Sequence, residues 1–431
     1  MVVLLFFVLA VPSLFLFILP KDRDNGNSPL PPGPSGLPFI GHLHMQMLDN
    51  LAPHIFLWKL SQKYGSLMSL RFGFRPILVV SSAETAKEVM KTHDLDCCSR
   101  PTLLGGQKLS YNGLDLAFSP YSAYWREIRK ICVVHLFNLN RVQIYRPIRE
   151  DEVARLIAKI SKLSVNSKPV NLSEAIMCLT STIICRIGFS KRYEEGVKRS
   201  RLHGLLNESQ ALLMSFCVFD YFPCMDWNVF IGGTDTSAAT VIWVMTFLMK
   251  NPRCLKKIQE EVKSLVGKKC FVNEDDIQSL TYFKAVIKEA FRLQPIAPLL
   301  VPRETMRKCN IGGNEIPAKT LIHVNAWAIG RDPQAWKNPK EFYSERFIGS
   351  SIDYKGLDFE LIPFGAGRRG CPGIHMGVAT LELALANLLY KFDWEMPAGM
   401  NKEDLDFDVI PGITMHKKNA LCLVAHEIDV Y

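Results

Sequence analysis

The stretch that most constrains this chain is residues 364–373, Phe-Gly-Ala-Gly-Arg-Arg-Gly-Cys-Pro-Gly. Three glycines precede Cys371 and one follows it. Glycine takes backbone angles and close approaches that other residues cannot, so the spacing predicts a tight loop laid against something bulky. Residues 374–390 follow; they are apolar, rich in Ala and Leu, free of proline, and predict a helix. Cys371 then stands at a helix mouth, where free amide N–H groups favour a thiolate. A haem iron with one thiolate ligand needs such a sulfur, and Arg369 is placed to meet an anionic edge of a cofactor. A glycine-rich turn around a buried free cysteine satisfies the same loop composition.

The chain has 431 residues, 48% of them hydrophobic, enough to bury a large core. Its net charge of +9 comes from Lys and Arg scattered along the sequence. That scatter, with no base-reading motif, argues against nucleic-acid binding. A mildly basic surface suits an anionic membrane or an acidic redox partner. None of the twelve cysteines forms a Cys-x-x-Cys pair, which argues against zinc and fits reduced thiols in a cytosol-facing domain.

Residues 1–19 are nearly continuous apolar sequence and predict an uncleaved membrane anchor, assigned to 1–20. Residues 21–38 are polar and then proline-rich, a stiff hinge. Residues 39–431 form the remaining domain. Helices are expected over 51–64, 83–90, 151–163, 172–187, 204–216, 228–249, 252–266, 275–280, 282–293 and 325–329. Residues 67–72 and 76–80 predict a β-hairpin, 311–317 and 320–324 predict strands, and 413–415 with 421–424 predict a second hairpin. Residues 101–120 are irregular and long for a connection, as functional loops often are.

Trp125 and Arg129 lie four apart, on one face of a predicted helix. An indole N–H and a guanidinium there can hold a carboxylate; an amphipathic helix with a core Trp fits as well. Gly232, Gly233, Thr234, Asp235, Thr236 and Ser237 include poor helix-interior residues in an otherwise apolar helix. Thr236 can relay protons and Asp235 can connect that relay to water, or Asp235 can simply cap the helix. Glu289 and Arg292, three apart, form either a local surface pair or part of a buried network.

Taken together these motifs resemble the cytochromes P450. Phe364, Gly367, Arg369, Cys371 and Gly373 fill Phe-x-x-Gly-x-Arg-x-Cys-x-Gly, the haem-binding signature of that family. Trp125-x-x-x-Arg129, Gly232-Gly233-x-Asp235-Thr236-Ser237, Glu289-x-x-Arg292 and the segment 342–347 with Arg346 follow the family's other motifs in order. The likeness is strongest to plant microsomal members, the 71 clan and its 71/83 group. It implies a mainly α fold with a smaller β region. It implies haem b with Cys371 as axial ligand, Phe364 and Gly373 in the binding loop, and Trp125, Arg129, Arg303 and Arg369 at the propionates. Asp235 and Thr236 would deliver protons, and Glu289, Arg292 and Arg346 would form a buried triad. Electrons would come from NADPH through NADPH–cytochrome P450 reductase, and O₂ would oxidise a lipophilic small molecule. The chain would sit in the endoplasmic reticulum membrane on a single N-terminal anchor, with its catalytic domain cytosolic. Residues 101–120, 204–216, 297–301 and those around Ile413 would shape the pocket.

One departure from the family pattern is large. Tyr221-Phe222-Pro223-Cys224-Met225-Asp226-Trp227 runs directly into Asn228-Val229-Phe230-Ile231-Gly232, where the family carries several helices. The few residues left cannot span that distance at ~3.5 Å per residue. The expectation is a fold internally truncated at 227/228, with part of the distal helical region missing.

Overall fold

The computed structural model describes residues 30–49, 51–103, 113–190, 192, 235–410 and 412–428. The expected anchor, residues 21–29 of the hinge, the helix over 204–216, Gly232, Gly233 and the 227/228 junction lie outside the described residues. So does the centre of the 101–120 loop.

Eight described helices reach ten residues or more: α1 (Pro53–Tyr64), α2 (Ala123–Cys132), α3 (Arg146–Ser164), α4 (Leu172–Phe189), α5 (Asp235–Lys250), α6 (Pro252–Val266), α7 (Thr281–Leu293) and α8 (Ile374–Lys391). Their ends follow local chemistry. Ser122 caps α2 by accepting from the Trp125 amide, and Asn171 caps α4 by accepting from Glu174. Pro252 opens α6 at a position where its missing N–H costs nothing. The helix expected over 83–90 is helical over Ala83–Lys87 and then widens to a π-turn over Glu88–Thr92.

The strands β1 (Leu67–Phe72) and β2 (Arg75–Val80) form the expected antiparallel hairpin. They join β4 (Arg303–Glu304) and β7 (Leu321–Val324) in one sheet, ordered β1-β2-β7-β4, in which β2 and β7 run parallel. Two expectations need correction. The strand expected over 311–317 is a hairpin, β5 (Cys309–Ile311) against β6 (Asn314–Ile316). Gly312 and Gly313 turn it with φ of 57° and 75°, the left-handed angles a two-residue hairpin loop requires. The hairpin expected between 413–415 and 421–424 does not form. β10 (His416–Lys417) pairs with β9 (Val409–Ile410), while β11 (Cys422–Glu427) pairs with β3 (Val170–Asn171) and β8 (Phe392–Glu395). Pairing with β8 sets Ala425 opposite Trp394 and buries Leu423 and Ala425 in the core, a larger apolar gain than a short local hairpin offers.

The main core is helical. α5 buries every residue from Ala238 to Met249, and α8 buries Leu381, Leu383–Leu385 and Leu388–Tyr390. α4 is apolar and long enough to cross a bilayer by composition, but it packs on α3 and α5 and buries Ile176, Leu179 and Ile183. A Cβ added to Gly377 of α8 would lie 3.4 Å from Ser237 Oγ of α5. That close approach sets the first turn of α5 beside the helix that follows Cys371.

A candidate functional site at Cys371

The 364–373 loop is as tight as its glycines predict. Gly367 has φ of 66°, and a Cβ there would sit 2.3 Å from the Met90 carbonyl oxygen. The Cys371 amide donates to the Phe364 carbonyl at 2.9 Å, and Gly370 closes a turn on Gly367 at 3.0 Å. Gly373 is the N-cap of α8, which starts at Ile374. Its amide hydrogen-bonds the Cys371 sulfur and holds the thiol pKa down, as does the nearby Arg129 charge, but burial outweighs both and pushes it up. The residue is nevertheless exposed to solvent. Phe364 packs edge-on against Phe291 of α7, with ring centroids 5.1 Å apart, which ties the loop to the helical core.

Four guanidinium groups gather here. Arg369 donates to the Cys98 and Ser119 carbonyls at 2.7 and 2.8 Å and lies over the Trp125 ring, 3.8 Å from its centroid. Its Nη1 is buried without a partner. Burial and the Arg303 and Arg129 charges push its pKa down to about 10. Arg303 donates to Asp94 at 3.1 Å and to the Ala366 carbonyl at 2.7 Å. Arg129 donates to the Gly370 carbonyl at 2.7 Å. Arg100 donates to the Ala117, Val301 and Pro302 carbonyls. The pKa values of Arg100, Arg129 and Arg303 are all lowered, first by burial, and for Arg100 next by Arg369 and Arg303. The Trp125 indole N–H donates to the Leu116 carbonyl at 3.0 Å.

Two residues of this cluster carry no sequence signal of their own. Arg100 lies in a loop. Asp94 sits just past the π-turn, and its carboxylate joins Arg303 to Arg368, accepting from the Arg368 amide at 3.0 Å and its guanidinium at 2.8 Å.

The structure brings Glu289, Arg292 and Arg346 together in a buried network. Arg292 forms a two-point pair with Glu289 at 2.8 and 2.7 Å, and Arg346 reaches Glu289 at 3.2 Å. The Glu289 carboxylate also accepts from the Tyr343 amide at 2.8 Å, and Arg292 donates to the Pro339 and Glu341 carbonyls. On α5, Asp235 is fully buried, while Thr236 is half-buried and its carbonyl accepts from Thr240 at 2.8 Å.

The family model described as cytochrome P450 matches residues 31–229 and 227–424. The chain belongs to the cytochrome P450 family. It is 45% identical to 6,7,8-trihydroxycoumarin synthase of Pastinaca sativa, over 97% of each chain. It is 44% identical to 5-OH-xanthotoxin synthase of Ammi majus, again over 97% of each. Cytochrome P450 71B36 of Arabidopsis thaliana is 44% identical over 91% of this chain and 92% of its own. A zebrafish cytochrome P450 solved with progesterone superposes with a TM-score of 0.75, covering 88% of this chain and 100% of that chain at 23% identity. That superposition shows the mainly helical P450 fold. By family the chain is a plant P450 monooxygenase of the 71 clan, and its cofactor is haem b.

The residues present fit that group. Haem b is flat and carries two carboxylates and a metal that takes a soft axial ligand. The site supplies one cysteine sulfur, four guanidinium groups that repel one another, and an unpartnered Arg369 N–H. The crowded guanidinium groups and the unpartnered N–H are costly without an anionic occupant.

Proposed function

We propose that Cys371 is the axial thiolate ligand of haem b and that Arg100, Arg129, Arg303 and Arg369 neutralise its propionates. The observation that carries this reading is the solvent-exposed Cys371, its sulfur held by the Gly373 amide, in the same loop as the buried and partly unpartnered Arg369. Haem held by one thiolate supplies dioxygen activation. The chain's own residues orient the substrate, and Asp235 and Thr236 hold the protons. Electrons from NADPH arrive through a membrane-bound reductase, and one oxygen atom enters a lipophilic small molecule. Coumarin-type ring systems are the first substrates to test, because relatives 44–45% identical are named for trihydroxycoumarin and hydroxyxanthotoxin products. Residues 39–431 form the catalytic domain, carried on an anchor at 1–20 and a hinge at 21–38.

A second reading has its own support. The family model matches in two pieces that meet at 227–229. The alignment to the parsnip relative runs over 493 positions, more than the 431 residues of this chain. Both fit a segment absent between Trp227 and Asn228, which leaves a haem binder without turnover. Two measurements separate these readings. Reduced protein under carbon monoxide shows a thiolate–haem band in the wild type and none in Cys371→Ser; a wild type without the band overturns the cofactor assignment. Product formation from xanthotoxin with NADPH and reductase then marks an enzyme. A band without product supports the truncated haem binder.

A further inference from the structure

The buried carboxylate of Asp235 has a neighbour that the proton-delivery motif does not contain. His416 Nε2 lies 2.6 Å from Asp235 Oδ2, and the Thr414 hydroxyl donates to the same oxygen at 3.3 Å. Thr414 and His416 are themselves 3.0 Å apart. These residues are 179 and 181 positions from Asp235 in sequence, so no local pattern places them there. The segment that carries them is pinned on three sides. The Met415 amide donates to the Ile296 carbonyl at 2.7 Å, the Trp243 indole of α5 donates to the Met415 carbonyl at 2.7 Å, and β10 pairs with β9. The geometry at Asp235 is therefore built rather than incidental.

The exposures run in one direction. The Asp235 side chain is 0% exposed and that of His416 is 16% exposed. His416, the more exposed of the two, stands against Asp235 on its side of the pair. We propose that His416 is the outward member of the proton path to Asp235. An ionised carboxylate only accepts, so Nε2 carries the hydrogen in this pair. In the relay, Nδ1 takes a proton from solvent and Nε2 gives its own to Asp235 Oδ2. One proton moves inward, the imidazole ends neutral with its hydrogen on Nδ1, and exchange with water resets it. The next charged side chain on the strand, Lys417, is held by Asp406 at 2.9 Å. His416 acts through Asp235 and touches no reacting atom, so it is a positioning residue. The inference rests on reading Asp235 and Thr236 as the proton-delivery pair of a haem protein.

Two experiments test it. On the full chain, diethylpyrocarbonate labelling of His416 is followed by mass spectrometry at one fixed pH. Nε2 engaged by Asp235 Oδ2 at 2.6 Å is withheld from the reagent, so Asp235→Ala raises the labelling rate severalfold. An unchanged rate overturns the pairing. In the haem-loaded chain with reductase, NADPH and O₂ but no substrate, electrons leave as hydrogen peroxide or, with further protons, as water. His416→Ala and His416→Gln both raise the peroxide-to-water ratio by roughly tenfold, below the usual value of a positioned proton donor. Glutamine keeps an N–H donor but cannot relay. A glutamine variant that behaves as wild type therefore makes His416 a brace and overturns the relay, as does an unchanged ratio in both variants. A wild type with no thiolate–haem band overturns the haem reading, and the relay with it. That failure shows before any variant is made.

Discussion

Arg369 spends two of its nitrogens on the Cys98 and Ser119 carbonyls and leaves Nη1 buried with no partner. Charge-assisted hydrogen bonds are worth ~1.5–3 kcal/mol each. Arg369→Met therefore weakens haem binding by roughly 10–100-fold, read from absorbance titration of the apo-chain with haem. An unchanged affinity places the propionates elsewhere. Arg369 and Cys371 were legible in the sequence because their meaning lies within ten residues of glycine spacing. Arg100 was not. It gains its role only where the fold brings Val301, 201 positions away, to its guanidinium. Asp94 is hidden for the same reason, since its partners Arg303 and Arg368 lie 209 and 274 positions off.

At the scale of elements, the loop around Cys371 is held by shape and the triad by charge. Gly367→Ala forces a side chain into a left-handed backbone and against the Met90 carbonyl at 2.3 Å. The expected loss is about 3 kcal/mol or more, read from urea unfolding, and an unshifted midpoint contradicts the loop geometry. Glu289→Gln removes the charge that the fully buried Arg292 and the half-buried Arg346 share. Breaking a buried pair in this way costs ~3–5 kcal/mol, visible as a fall in Tm, whereas a loss below 1 kcal/mol refutes a buried network. Long helices were legible because apolar periodicity repeats over many turns, and Thr281–Leu293 begins one residue from its expected start. Short strands were less so. The partners of Cys422–Glu427 lie at Val170–Asn171 and Phe392–Glu395, and nothing in an alternating run of six residues names a partner so distant. The Gly312-Gly313 pair did mark a hairpin in the sequence, and only the assumption of one continuous strand obscured it.

Over the whole molecule, buried titratable groups bound stability from both sides of neutral pH. Burial lowers the His54 pKa to about 3 and that of His323 to about 4. Both stay neutral in the fold, so the stability they contribute is complete above 6.5 and drains away as the pH falls below it. Glu382 on α8 acts in the opposite sense. Burial raises its pKa from 4.5 to about 7, with Glu274 adding to the rise and Lys284 opposing it. Below pH 4.5 this carboxyl is protonated in folded and unfolded chains alike and costs nothing. As the pH climbs from 4.5 to 7 the unfolded chain ionises first, and stability is lost through that window. Above 7 the full penalty is present, on the order of 3 kcal/mol. Glu382→Gln keeps the shape and removes the charge. The variant should unfold at higher urea than the wild type at pH 8, and the gap should close as the pH is brought to 4.5. The histidine effects are common to both proteins and cancel in the difference. A gap that stays constant across this range would mean that Glu382 does not titrate within it and that its carboxylate is paired in solution.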